Sequence, residues 1–118
     1  MLVGKVYHRE MYNCATIVCE YFRENGLGDL PNGDLEEYTH NALLWIKNNF
    51  KRISELKKHC LVLNKNTDGT LHVGVFDGKY ILHGSQSTGY KVVREPLHSF
   101  FQQNKNVHIY EWRERCQN

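Results

Sequence analysis

The sequence predicts an α+β domain in which N-terminal helices pack on a C-terminal antiparallel sheet. Three observations predict it. In the first half, "YNCATIVCEYFRENG" sets Ile17, Val18, Tyr21 and Phe22 on one stripe at helical spacing. The second half is built of short strand-like runs: "CLVL", "LHVGVF", "KYILH", "YKVV" and "VHIYEW". Between two of these runs lies Asp77-Gly78, a strong two-residue hairpin signal, because the central positions of a type I′ turn need positive φ. Helical segments followed by strands give the α+β order.

The first helix is expected to start at Asn13 as N-cap and to stop at Gly26, which tolerates the left-handed conformation of a helix terminus. After the turn "LPNG", Asp34 with Glu37 three residues on suggests a capping box. A second helix should follow through Leu43, Leu44, Trp45 and Ile46 to about Phe50, with a short helical turn near Ser54 to Leu56. "CLVL" is then a strand, "NTDG" a turn, and "LHVGVF" with "KYILH" the hairpin. With Asp77-Gly78 as its loop, Phe76 faces Lys79, Gly74 faces Ile81 and His72 faces His83. Val73, Val75, Tyr80 and Leu82 form the other face, the one to bury, and Gly74 is expected to leave a gap beside His72.

A chain of 118 residues is one domain, residues 1–118, with room for a single core. Apolar content of 41% and charged content of 24% are those of an ordinary globular protein. The net charge is +2, and the cluster Lys51-Arg52 with Lys57-Lys58 reads as a solvated face, so no nucleic-acid partner is expected. No apolar run approaches a membrane span. The start "MLVGKVYHREMYNC" lacks the apolar region of a secretory signal, so synthesis in the cytoplasm is expected, with delivery by other means if the target lies outside. Cys14, Cys19, Cys60 and Cys116 show neither disulfide-framework nor CxxC spacing. Cys19 and Cys60 read as small core residues, Trp45 and Trp112 as core anchors.

Chemistry enters through Cys14. It opens the first helix, where unpaired N–H groups and the helix dipole stabilise a thiolate and can also receive an oxyanion. A cysteine at a helix start, a histidine on a strand and a second polar residue on the adjoining strand form a nucleophile, a base and its orienter. His72 and His83 supply the second and third parts. An inert buried thiol and a pair of surface histidines are the bland alternatives.

With "YNCATIV", "HVGVFDG" and "YILHGS" in place, the sequence resembles the NlpC-type cysteine peptidases, a compact papain-like group, from about Tyr12 to Val93. The stretch "YFRENGLGDLP" also looks like the segment after the nucleophile helix in small phage-tail members. The resemblance implies the papain-like fold, Cys14 as nucleophile, His72 as general base, His83 as orienting residue and no cofactor. As substrate it implies an amide bond in a stem peptide or crosslink of the bacterial cell wall. Tyr12, Asn13, Gly74 and Ser85 are the candidate substrate contacts, with "HGSQSTG" from His83 to Gly89 as a rim. A phage-tail component or an injected effector, meeting phage tail proteins or an immunity protein and acting on the cell wall after delivery, suits such a member. Two segments depart from the common pattern: Asn13-Cys14-Ala15-Thr16 stands where many relatives have Asp-Cys-Ser-Gly, and His59-Cys60 where many have Gly-Asp.

Three rivals stay open. One is a non-catalytic structural or assembly module of the same fold. Another is a metal-binding module using His72, His83 and either His59 or Cys60. The third is a thiol acyltransferase, transglutaminase or deamidase with the same three residues and a different acceptor.

Overall fold

The computed structural model describes residues 3–4, 14–28, 46–65, 71–84 and 91–113 of the chain. A helix α1 (Cys14–Glu24) precedes strands β1 (Phe50–Ile53), β2 (Leu61–Lys65), β3 (Leu71–Phe76), β4 (Tyr80–His83) and β5 (Val93–Pro96). A short helix α2 (Leu97–Gln103) and strand β6 (His108–Trp112) follow. The six strands form one sheet in the order β1-β6-β2-β3-β4-β5, every pair antiparallel. The α+β class is therefore as expected.

Helix α1 ends as its glycine requires. Gly26 has φ +66, its N–H reaches the carbonyl of Arg23, and Leu27 N–H reaches that of Phe22. These two bonds make a Schellman cap. Ile17, Val18, Tyr21 and Phe22 are all buried, so the helical stripe faces the core. Asn13, Asp34, Glu37 and Trp45 lie outside the described residues. Residues 46–49 are helical, but Phe50 opens β1 instead of closing that helix. Pairing of Phe50 with Trp112 recruits "FKRI" into the sheet, and residues 54–56 form no helical turn.

Each strand alternates between the two faces of the sheet. One face presents Phe50, Leu61, Leu63, Val73, Val75, Leu82, Tyr110 and Trp112 to α1, and this is the main core. The other face carries a smaller cluster of Val62, Ile81 and Phe100 with Leu56, Phe76, Leu97 and Val107, roofed by α2.

The hairpin register departs from the expected one by two residues. Phe76 pairs with Ile81 and Val75 with Leu82. Continuing that register sets Gly74, not His72, across from His83. The cause is Asp77, whose Oδ1 accepts hydrogen bonds from the N–H groups of Lys79 and Tyr80 at 2.9 and 2.7 Å. Asp77 thereby flanks the turn, and Gly78, at φ +105, becomes its first central residue, as in type II′ loops. Because the shift is two residues, the same side chains still share a face.

Candidate functional site

His72 on β3, His83 on β4 and Glu95 on β5 project from adjacent strands onto the α2 face. The offset register makes the two histidines diagonal neighbours, and their rings still meet: Nε2 of His72 lies 2.9 Å from Nδ1 of His83. The other nitrogen of His83, Nε2, lies 2.6 Å from Oε1 of Glu95. Oε2 of Glu95 accepts from the Ser99 hydroxyl at 2.7 Å. Nδ1 of His72 has no hydrogen-bond partner among the described residues.

The β5–α2 junction builds the far end of this chain. Pro96 has φ −56 and ψ 142, an extended residue that turns the strand directly into the helix. The turn returns Ser99 over Glu95 and drops Phe100 onto the histidines. Phe100 is fully buried, stacks on His72 with centroids 5.9 Å apart and meets His83 edge-on at 5.2 Å. Asn64 pairs with His72 across β2–β3, and its Nδ2 donates to Oδ1 of Asn104 at the end of α2.

Burial sets the protonation of the pair. Loss of hydration lowers the pKa of His72 from 6.5 to about 4, helped by neighbouring His83 and opposed by Glu95. Burial also lowers His83, against the hydrogen bond and charge of Glu95, which favour its imidazolium. Both rings are therefore neutral near pH 7, and no described residue bonds the second nitrogen of His72.

Compared with models of known protein families, the chain matches none, and a search among curated proteins finds no match either.

Cys14 is the first residue of α1, as expected; its side chain lies outside the described part of the structure. The course of α1 is set by its C-terminal half. Tyr21 hydroxyl lies 2.6 Å from Nδ1 of His59, and the backbone of Gly28 backs onto the Trp112 ring. His59 N–H bonds the carbonyl of Phe76, so this end of α1 sits at the Phe76 end of β3. His72 lies four residues away along β3, about 13 Å, and Cys14 seven residues back along α1, about 10 Å. The histidines nevertheless occupy the face opposite α1.

Tyr12, Asn13 and Ser85 lie outside the described residues. Gly74 is brought beside the histidines, but the gap expected there is filled. A Cβ on Gly74 would come within 2.6 Å of Ile81 Cγ2 and 3.2 Å of Val62 Cγ2, so the glycine serves close packing. His59, a candidate neighbour or third metal ligand, stands at the other end of β3 and bonds Tyr21 instead. Cys60 and Cys19 are buried core thiols whose pKa values burial raises, that of Cys19 to about 11. Trp112 is a core residue, as expected. Sequence reasoning missed Glu95, Ser99 and Phe100. The one signal for them was a carboxylate on the strand after His83, with a hydroxyl four residues further on.

Proposed function

We propose that the domain is a papain-like, NlpC-type cysteine hydrolase that cleaves amide bonds in bacterial cell-wall peptides. Cys14 gives its proton to the free nitrogen of His72 and attacks the amide carbonyl carbon. The tetrahedral intermediate collapses, the C–N bond breaks, and His72 returns the proton to the leaving amine. Water then attacks the thioester, giving up a proton to His72, and the acid leaves as Cys14 recovers its thiol. His83 holds the His72 ring in line. The observation that carries this reading is the part-buried His72–His83 hydrogen bond, with the other ring nitrogen of His72 bonded by no described residue.

Because α1 and the histidines are on opposite faces of the sheet, this reading requires Cys14 to reach His72 around the sheet and not across it. That same separation favours the second reading, a structural module in which the His–His–Glu chain only ties β3, β4 and β5 together. Cell-wall peptide as substrate, and delivery by a phage tail or secretion machine, come from the sequence resemblance.

Iodoacetamide labelling from about pH 5 to about pH 9 decides between them, because an unactivated thiol reacts only as pH nears about 8.5. The hydrolase requires Cys14 to label well below that value, ahead of Cys116, with the pH profile displaced in His72→Ala. Peptidoglycan fragments are then the first substrates to try. Labelling of Cys14 no faster than Cys116 would remove the hydrolase and leave the structural module.

A further inference from the structure

The orienting chain does not stop at His83. We infer that Glu95 is a positioning residue that selects the ring tautomer of His83 and, through it, that of His72, leaving Nδ1 of His72 as the nitrogen open to take a proton.

Two hydrogen bonds fix the position of each ring proton in turn. A carboxylate only accepts, so Nε2 of His83, 2.6 Å from Oε1 of Glu95, must carry the hydrogen. A neutral imidazole has one N–H, so Nδ1 of His83 is then an acceptor. Nε2 of His72, 2.9 Å away, must donate to it. One nitrogen remains, Nδ1 of His72, and no described residue bonds it. The opposite assignment would place a lone pair of His83 against the carboxylate in a buried site, where unpaired polar contacts are costly.

Glu95 is itself held. Its second oxygen accepts from Ser99 at 2.7 Å, and its side chain is only 14% exposed. The carboxylate therefore cannot swing into solvent without abandoning two hydrogen bonds at once. Phe100 fixes the planes of both rings, so proton placement is settled by Glu95 and ring orientation by packing. Which nitrogen of a histidine carries the hydrogen is commonly set by the bond its other nitrogen makes. Here that control passes through two rings.

That Nδ1 of His72 acts as a base rests on the proposed hydrolase; the tautomers themselves do not, and they are measured without substrate. Histidine ring-¹⁵N-labelled protein near neutral pH gives each ring its tautomer by long-range ¹H–¹⁵N correlation. Both His72 and His83 are expected as the Nε2–H form. In Glu95→Gln, which keeps an acceptor of the same shape, the tautomers should persist. The His83 Nε2–H proton should then move upfield, because its acceptor has lost its charge. In Glu95→Ala the His83 proton should spread over both nitrogens, and His72 should follow.

An Nδ1–H form for either ring in the native protein overturns the inference. So does a His83 Nε2–H resonance indifferent to Glu95→Gln, or tautomers unchanged in Glu95→Ala. The native spectrum and the Gln variant suffice if the Ala variant does not fold. If Cys14 proves unreactive while the tautomers are as stated, the hydrolase fails and the role of Glu95 stands.

Discussion

The two faces of the sheet solve different problems with the same strands. On the α1 face, Val73, Val75 and Leu82 join Phe22, Phe50 and Trp112 in a continuous apolar core. One residue along each strand, the α2 face buries His83 and Asn64 instead, with Glu95 and His72 mostly covered. Apolar burial favours folding roughly in proportion to area, whereas a buried polar chain at best offsets its own desolvation. The first face therefore supplies most of the apolar stabilisation, and the smaller Val62, Ile81 and Phe100 cluster adds to it on the second. The second also holds polar side chains that folding alone does not require, and each of them makes at least one hydrogen bond. A domain that spends a sheet face this way is organised around those groups, which is the physical reason to look for chemistry there.

The sharpest way to break this contrast is to damage the apolar face alone. Phe22 is fully buried and packs edge-on against Phe50 and Trp112 at 6.1 and 5.5 Å. Phe22→Ala should lower the unfolding free energy by about 3–5 kcal/mol in urea titrations. The His72 and His83 ring resonances should barely move, because the sheet lies between. A shift in those resonances as large as that from Glu95→Gln would show the faces to be one unit.

Acid tests the polar face next. Unfolded, His72 takes up a proton near 6.5, but folded only near 4, so the unfolded state binds more protons in this window. Stability should thus fall as pH drops from 6.5 to about 4, by roughly 3 kcal/mol, and level off below. His83 acts in the same direction. The urea midpoint followed against pH checks this, and His72→Gln, which can still donate to His83, should flatten the profile. A native profile that is already flat would mean that the His72 ring is hydrated.

The contrast between the faces also explains what could be read in advance. Apolar alternation is a local signal, so α1, β2, β3, β4 and β6 were legible, and so was the shared face of His72 and His83. The register was not, because it turned on whether Asp77 entered the loop or capped it with its side chain. "FKRI" went unread as a strand because a single core residue, Phe50, anchors it, and its partner Trp112 lies at the far end of the chain. "LHSFFQQ" was overlooked because seven residues hold too few turns to show a period. Glu95 is the most instructive omission. A carboxylate in "VREP" looks like solvated surface until β5 is paired with β4, and only that pairing puts it beside His83.

Gly74 offers a finer test, since it sits on the histidine face for reasons of packing. Gly74→Ala would press a methyl group against Ile81, Val62 and the Leu82 carbonyl, which approaches within 3.3 Å. Overpacking of this kind costs about 1–3 kcal/mol. The strain should also disturb the His72–His83 bond, seen as exchange-broadened ring resonances. An Ala variant of native stability and unaltered spectra would restore the open gap expected beside His72.

The smallest effect separates anchoring from packing most cleanly. Ser99 touches the network through one hydroxyl, 2.7 Å from Oε2 of Glu95, and contributes little apolar area to the cluster around Phe100. Ser99→Ala should therefore cost only about 1.5 kcal/mol in urea unfolding, the low end of the net worth of one hydrogen bond to a carboxylate. Its consequence for the histidines is of another kind. Without that hydroxyl, Oε2 loses a partner and Glu95 is held by His83 alone, so the carboxylate gains freedom to rotate towards solvent. The His83 Nε2–H resonance should move in the direction seen for Glu95→Gln, by a smaller amount, while the tautomers stay as they are. A loss of stability with no movement of that resonance would make Ser99 a helix-start residue only. Movement with almost no loss of stability would show that the α2 face is tuned for proton placement rather than for strength.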